Sequence, residues 1–147
     1  ILLRKEQLTL IELAAYYGSF KIFKYLHSQK IELNSFIWIL AIHGNNKNII
    51  NYLENIKIFP NDWNTVYIES VKCHQNNLAS YIQRNYLPNA DIINEAEIIK
   101  NYNFCLIQYS VNIGKFFFYF CKYDYFYIVD YLIKKKNIDI NEIVIYN

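Results

Sequence analysis

Few residues in this chain are able to do chemistry, and they are scattered. Cys73 beside His74 is the only adjacent Cys–His pair. A zinc site takes about four ligands at regular spacing, and no second pair supplies the rest. The pair therefore reads as part of a packed turn, with no metal expected. His27 and His43 stand alone and suit surface or capping roles better than catalysis. Cys105 falls on an apolar helical face and Cys121 at a small core position, so both read as buried small hydrophobes. Gly18, Gly44 and Gly114 are too far apart to build a loop that cradles phosphate. Glu95 and Glu97, two residues apart, project from different faces of a helix and do not signal paired-carboxylate work. No serine sits in a nucleophile elbow. The reading is of a chain with no catalytic residues and no cofactor.

Composition narrows the classes further. The 147 residues suffice for one domain or a short repeat array. Hydrophobic residues make up 54% and charged residues 19%, which excludes a disordered tail. A formal charge of +2 is too small to argue for a phosphate-binding surface. The one basic run, Lys134-Lys135-Lys136, reads as a solvated helix end. The many Tyr and Phe residues invite base stacking, yet most fall at core positions of the pattern below and no basic stripe accompanies them. No nucleic-acid partner is expected. The abundance of Asn, Ile and Lys is the bias of an AT-rich genome and carries no functional signal. Three irregularly spaced cysteines argue against a disulfide scaffold and fit a reducing, intracellular, cytoplasmic setting. The run Phe116 to Cys121 is bounded by Lys115 and Lys122 and is far short of the about 20 apolar residues of a membrane span, so no membrane is expected. A start at Ile1 and the absence of Met point to a piece of a longer protein.

The elements that position these residues show best in Thr9 to Asn34. Leu10, Leu13, Ala14 and Tyr17 form one apolar stripe at helical spacing, and Phe20, Ile22, Phe23 and Leu26 form a second. Gly18 between them suits the left-handed residue that ends a helix. Thr9 and Glu12 have the spacing of a capping box. Ala14 and Ala15 leave room for a neighbouring helix. The pattern then recurs. From Ser35, a candidate cap, to Asn61, Ile39-Leu40-Ala41 repeats the Leu-Ala-Ala step, Gly44 repeats Gly18 with Asn46 as an extra turn residue, and Ile49, Ile50, Tyr52 and Leu53 repeat the second stripe. Ala15 to Ala41 is a period of 26 residues. A third repeat spans about 62–87, capped by Asp62 or Asn64. Pro88-Asn89 makes a break, followed by a degenerate pair over 88–114 with helices expected at about 91–100 and 103–111. A fifth repeat, 115–141, puts Cys121 at the Ala15 position, Asp124 at the turn glycine and Asn137 where a second glycine would stand. Ile1 to Lys5 read as the end of an earlier helix and Asn141 to Asn147 as the opening of a further repeat.

Thr9, Leu13, Ala14, Ala15, Gly18, Ile22, Lys24, Tyr25, Leu26 and Asn34 together resemble an ankyrin repeat, with Leu10 and Glu12 in place of its usual Pro and His. The string Val71 to Asn77, followed by Tyr81-Ile82, looks like a divergent ankyrin-like domain of unknown function from protists. The resemblance implies an all-α fold, a short solenoid of helix–turn–helix repeats. It lacks the usual histidine-mediated link between repeats. The short period leaves little chain for β-hairpin fingers, which are expected to be reduced or absent. It also implies a module for protein–protein interaction without catalysis. The partner is an unknown protein, with further repeats at one or both ends. The implied recognition positions, just before each turn, are Tyr16, Tyr17, Ile42, His43, Lys122 and Tyr123. The alternative is a structural spacer or regulatory segment of a larger protein, which itself could be an enzyme.

Overall fold

The computed structural model describes residues 8–88, 95–107 and 113–136; among them every regular element is helical and no strand occurs. Residues 1–89 and 90–147 form two compact units.

In the first unit, α1 (Leu10–Tyr16), α3 (Ile37–Gly44) and α5 (Trp63–Lys72) alternate with α2 (Phe20–Ser28), α4 (Lys47–Asn55) and α6 (Asn76–Tyr86). α1 packs on α3 and α3 on α5, while α2 packs on α4. Local chemistry starts the helices. At α1 the capping box forms: the Thr9 hydroxyl accepts from the Glu12 N–H, and the Glu12 carboxylate accepts from the Thr9 N–H at 2.8 Å. At α5 the Asp62 carboxylate accepts from the N–H groups of Asn64 and Thr65, both at 3.0 Å. Ser35 does not cap α3. The Asn34 side chain accepts the Phe36 N–H at 3.0 Å instead, and the helix begins later. Every residue from Ile37 to Ile42 is buried, which makes α3 apolar all round and central to this unit.

The turns share one device. After α1, the Gly18 N–H donates to the Ala15 carbonyl and the Ser19 N–H to the Ala14 carbonyl. This paired closure, with a left-handed residue at its corner, is a Schellman motif. It recurs after α4 at Lys57, after α5 at His74, and in the second unit at Tyr102 and Asp124, all with positive φ. After α3 the left-handed residue is Asn45, with φ 45°, and not Gly44. The repeat therefore runs from Gly18 to Asn45, Ala14 matches Ala41, and the supposed extra residue Asn46 becomes the N-cap of α4. Gly44 is small for another reason. A Cβ there would come within 2.1 Å of the Ala15 carbonyl oxygen, because the backbones at the ends of α1 and α3 touch.

That approach also rotates α1 from the stripe expected above. Ile11, Ala14 and Ala15 are buried, whereas Leu10 and Tyr17 are 70% and 73% exposed. Adjacent stripes on a seven-residue helix differ by one position, and the small pair Ala14-Ala15 decides which faces α3. In α2 only Phe23 is fully buried and Ile22 is exposed. Side-chain amides link successive pairs, and so do two histidines, His27 to the Tyr52 hydroxyl and His43 to Glu69, both at 2.9 Å. Asn46 donates to the Gly18 carbonyl at 2.7 Å, and Gln75 donates to the Ile42 carbonyl. At the other end of the helices, Trp38 donates to the Ile58 carbonyl at 2.7 Å, and the Tyr81 and Tyr86 hydroxyls both donate to Glu54.

The second unit holds α7 (Glu95–Lys100), a 3-10 turn at Phe104–Leu106, α8 (Ile113–Lys122) and α9 (Phe126–Lys136). Ile99, Phe116, Phe120 and Leu132 form its core. Where a helix was expected over 103–111, Phe104–Leu106 makes a single tight turn and Ile107 is extended. Residues 108–112 lie outside the described residues, as do Ile1 to Lys5, Asn137 and Asn141 to Asn147. Asp124 takes the left-handed corner as expected, with φ 58°. Cys105 and Cys121 are exposed, not buried: the aromatic side chains of α8 fill the core, and Cys121 falls on the opposite face. Among the described residues no helix is long and apolar enough to cross a membrane.

Candidate functional site

The C-terminal ends of α1, α3 and α5 lie side by side, so residues one repeat apart meet. Tyr16 stacks on His43, with ring centroids 5.4 Å apart and planes inclined by 24°. His43 Nε2 lies 2.9 Å from Glu69 Oε1. Cys73 Sγ lies 3.7 Å from His43 Nδ1 and 3.9 Å from Nε2. Glu69 is only 6% exposed, and Lys72 Nζ reaches its other carboxylate oxygen at 3.8 Å. A carboxylate this buried is tolerated only with such partners.

Nucleophile, base and orienting acid in a row is the order of a cysteine relay. The thiol is nevertheless tuned the wrong way. Burial pushes the Cys73 thiol above its ordinary pKa, and the Glu69 carboxylate pushes it further. Cys73 also caps the C-terminus of α5, where the helix dipole disfavours an anion. Both effects favour the protonated thiol, a weaker nucleophile than the thiolate.

The expected recognition residues are distributed differently. Tyr17 is the most open of the aromatic ones, 73% exposed, in a T-shaped contact with Tyr16 at a centroid distance of 5.2 Å. Tyr16 is half-buried and His43 is turned onto Glu69. Ile42 is fully buried and is not a surface position. The one-residue shift of the turn puts it at the place of Ala15, facing the neighbouring helices. In the second unit, Lys122 is exposed with its ammonium 5.7 Å from the centre of the Tyr123 ring, a cation–π contact. Tyr123 packs partly against the Phe116–Phe120 core.

Glu69 was missed in the sequence reading, and Cys73 was paired with the wrong histidine. The φ of 56° at His74 turns that residue to solvent, while Cys73 faces back along α5. The signal was present: Glu69 stands one 26-residue period after His43, and Cys73 stands one helical turn after Glu69.

No family model, no curated protein and no solved structure matches this chain.

Proposed function

We propose that the chain is an ankyrin-like helical repeat module that recognises a protein partner and carries out no catalysis. The solenoid reading draws support from the recurrent helix pair, its repeated Schellman corner and the amide links from Asn46 and Gln75 to the preceding pair. The recognition reading is carried by Tyr17. It is 73% exposed at the tip of α1, yet it leans on Tyr16, which is itself stacked on His43. An aromatic side chain held this way offers large contact area and loses little freedom on binding. Recognition then centres on the tips of α1 and α3, with Tyr17 as the anchor, Tyr16 and His43 as its support, and Ile42 behind them as core.

The test is affinity capture with the full chain, comparing wild type with Tyr17→Ala by quantitative mass spectrometry. A protein retained by wild type and depleted at least about tenfold on Tyr17→Ala, with an unchanged melting curve, is the expected result. Identical retained sets would place recognition elsewhere, and no retained protein would favour the spacer reading.

A further inference from the structure

We propose that His43, Glu69 and Cys73 form a binding site for a single divalent cation of borderline softness, such as zinc or cobalt. One imidazole nitrogen, one carboxylate oxygen and one sulfur lie within 4.8 Å of one another, supplied by two neighbouring helix ends. Zinc holds N, O and S ligands at about 2.0–2.3 Å in a tetrahedron, which places the ligand atoms about 3.3–3.6 Å apart. From His43 Nε2 the distances are 2.9 Å to Glu69 and 3.9 Å to Cys73, on either side of that spacing, and the three atoms span at most 4.8 Å.

The electrostatics point the same way. Glu69 brings a buried negative charge. The C-termini of α3 and α5 both end at the cluster, and their carbonyl ends favour a cation. On binding, Cys73 releases its proton to solvent and ligates as thiolate. A neutral imidazole, a carboxylate and a thiolate then balance the two positive charges. Lys72 is the competing cation, but its side chain is 41% exposed and its stem lets the ammonium turn into water. The ring of Tyr16 covers one face of His43. Three protein ligands leave a fourth position, open to water or to a side chain from a partner.

The mixture of ligands makes cobalt the best probe. The full chain carrying Cys105→Ser and Cys121→Ser keeps Cys73 as its sole thiol, both replaced residues being exposed. Titration with Co2+ should give a thiolate-to-cobalt ultraviolet band and tetrahedral visible bands that saturate at one equivalent, with one proton released, and Zn2+ should bleach them. Glu69→Gln should weaken binding by about tenfold or more, and Cys73→Ser should abolish the ultraviolet band. A readout in the chain without any substitution guards against misfolded variants: Zn2+ should shift the ring-nitrogen NMR signals of His43 and leave those of His27 and His74 in place. The proposal is overturned by a titration with no saturable band, by a band that survives Cys73→Ser, or by a zinc shift at His74 in place of His43.

Discussion

Replacing His43 by Ala tests the buried cluster most severely. In the parent, the Glu69 carboxylate is 6% exposed and has two side-chain partners, His43 Nε2 at 2.9 Å and Lys72 Nζ at 3.8 Å. The substitution removes the short contact and leaves the long one. Hydrogen bonds to charged groups contribute about 1.5–3 kcal/mol, and stranding one member of a fully buried pair costs about 3–5 kcal/mol. The His43 side chain is 21% exposed and Lys72 remains, so the lower end applies, about 2 kcal/mol. Loss of the Tyr16 stack adds about 0.5 kcal/mol. With a urea dependence of about 2 kcal/mol per molar, the midpoint should fall by about 1 M. The melt is run with a chelator, so that metal binding does not enter. Adding Glu69→Gln removes the stranded charge and should recover about 1 kcal/mol. A His43→Ala midpoint within about 0.5 kcal/mol of the parent, or no recovery from Glu69→Gln, would refute the argument.

Other outcomes follow from the same contacts. Gly44→Ala should destabilise by about 3 kcal/mol in denaturant melts, because its Cβ meets backbone at Ala15 and Gly18 that no rotamer change can clear. Acid titration of the melting temperature should show stability falling as pH drops through the carboxylate range. The Thr65 hydroxyl and Asn64 N–H hold Asp62 below its ordinary value, and at Glu12 burial pushes upward but bonds from Thr9 and Asn34 outweigh it. Both groups are lowered by folding, so their contribution is present above the unfolded pKa and lost below the folded one, and Asp62→Asn should flatten part of that limb. Alkaline titration should show the opposite limb. Tyr86 is raised by burial and by its bond to Glu54, and Tyr81 first by its bond to Glu54, so stability is complete below the ordinary tyrosine value of 10.0 and declines above it. Tyr86→Phe should make that decline shallower.

The helical class and the order of most elements were legible because periodicity, caps and turn residues agree locally. Thr9 with Glu12, Asp62, and Asp124 at its left-handed corner each act within a few residues of their own position. What the chain order hid lies between repeats. The rotation of α1 toward Ile11 depends on how closely α3 approaches, and that is set by Gly44 and Ala15 from different repeats. Reading Gly44 as the turn glycine displaced Ile42 by one position, and one position on a helix is enough to carry a residue from surface to core. The pairing of His43 with Glu69 and Cys73 was hidden for the same reason. Histidine, acid and thiol are separated by 26 and 4 residues, and only stacking of successive first helices makes that spacing a contact. A histidine link between repeats was not expected, yet His27 and His43 each reach the next pair, beside the amides of Asn46 and Gln75.

The recognition claim is tested most directly by light. A photoreactive benzoylphenylalanine at position 17 replaces Tyr17, which is 73% exposed at the tip of α1. The same group at Asn55, exposed at the far end of α4, serves as the control. Irradiation of the full chain in extract, followed by mass spectrometry of the adducts, reports what touches each position. The account predicts one protein attached from position 17, absent from position 55 and competed away by unlabelled chain. Equal adducts from both positions, or none from position 17, would contradict recognition at the tip of α1.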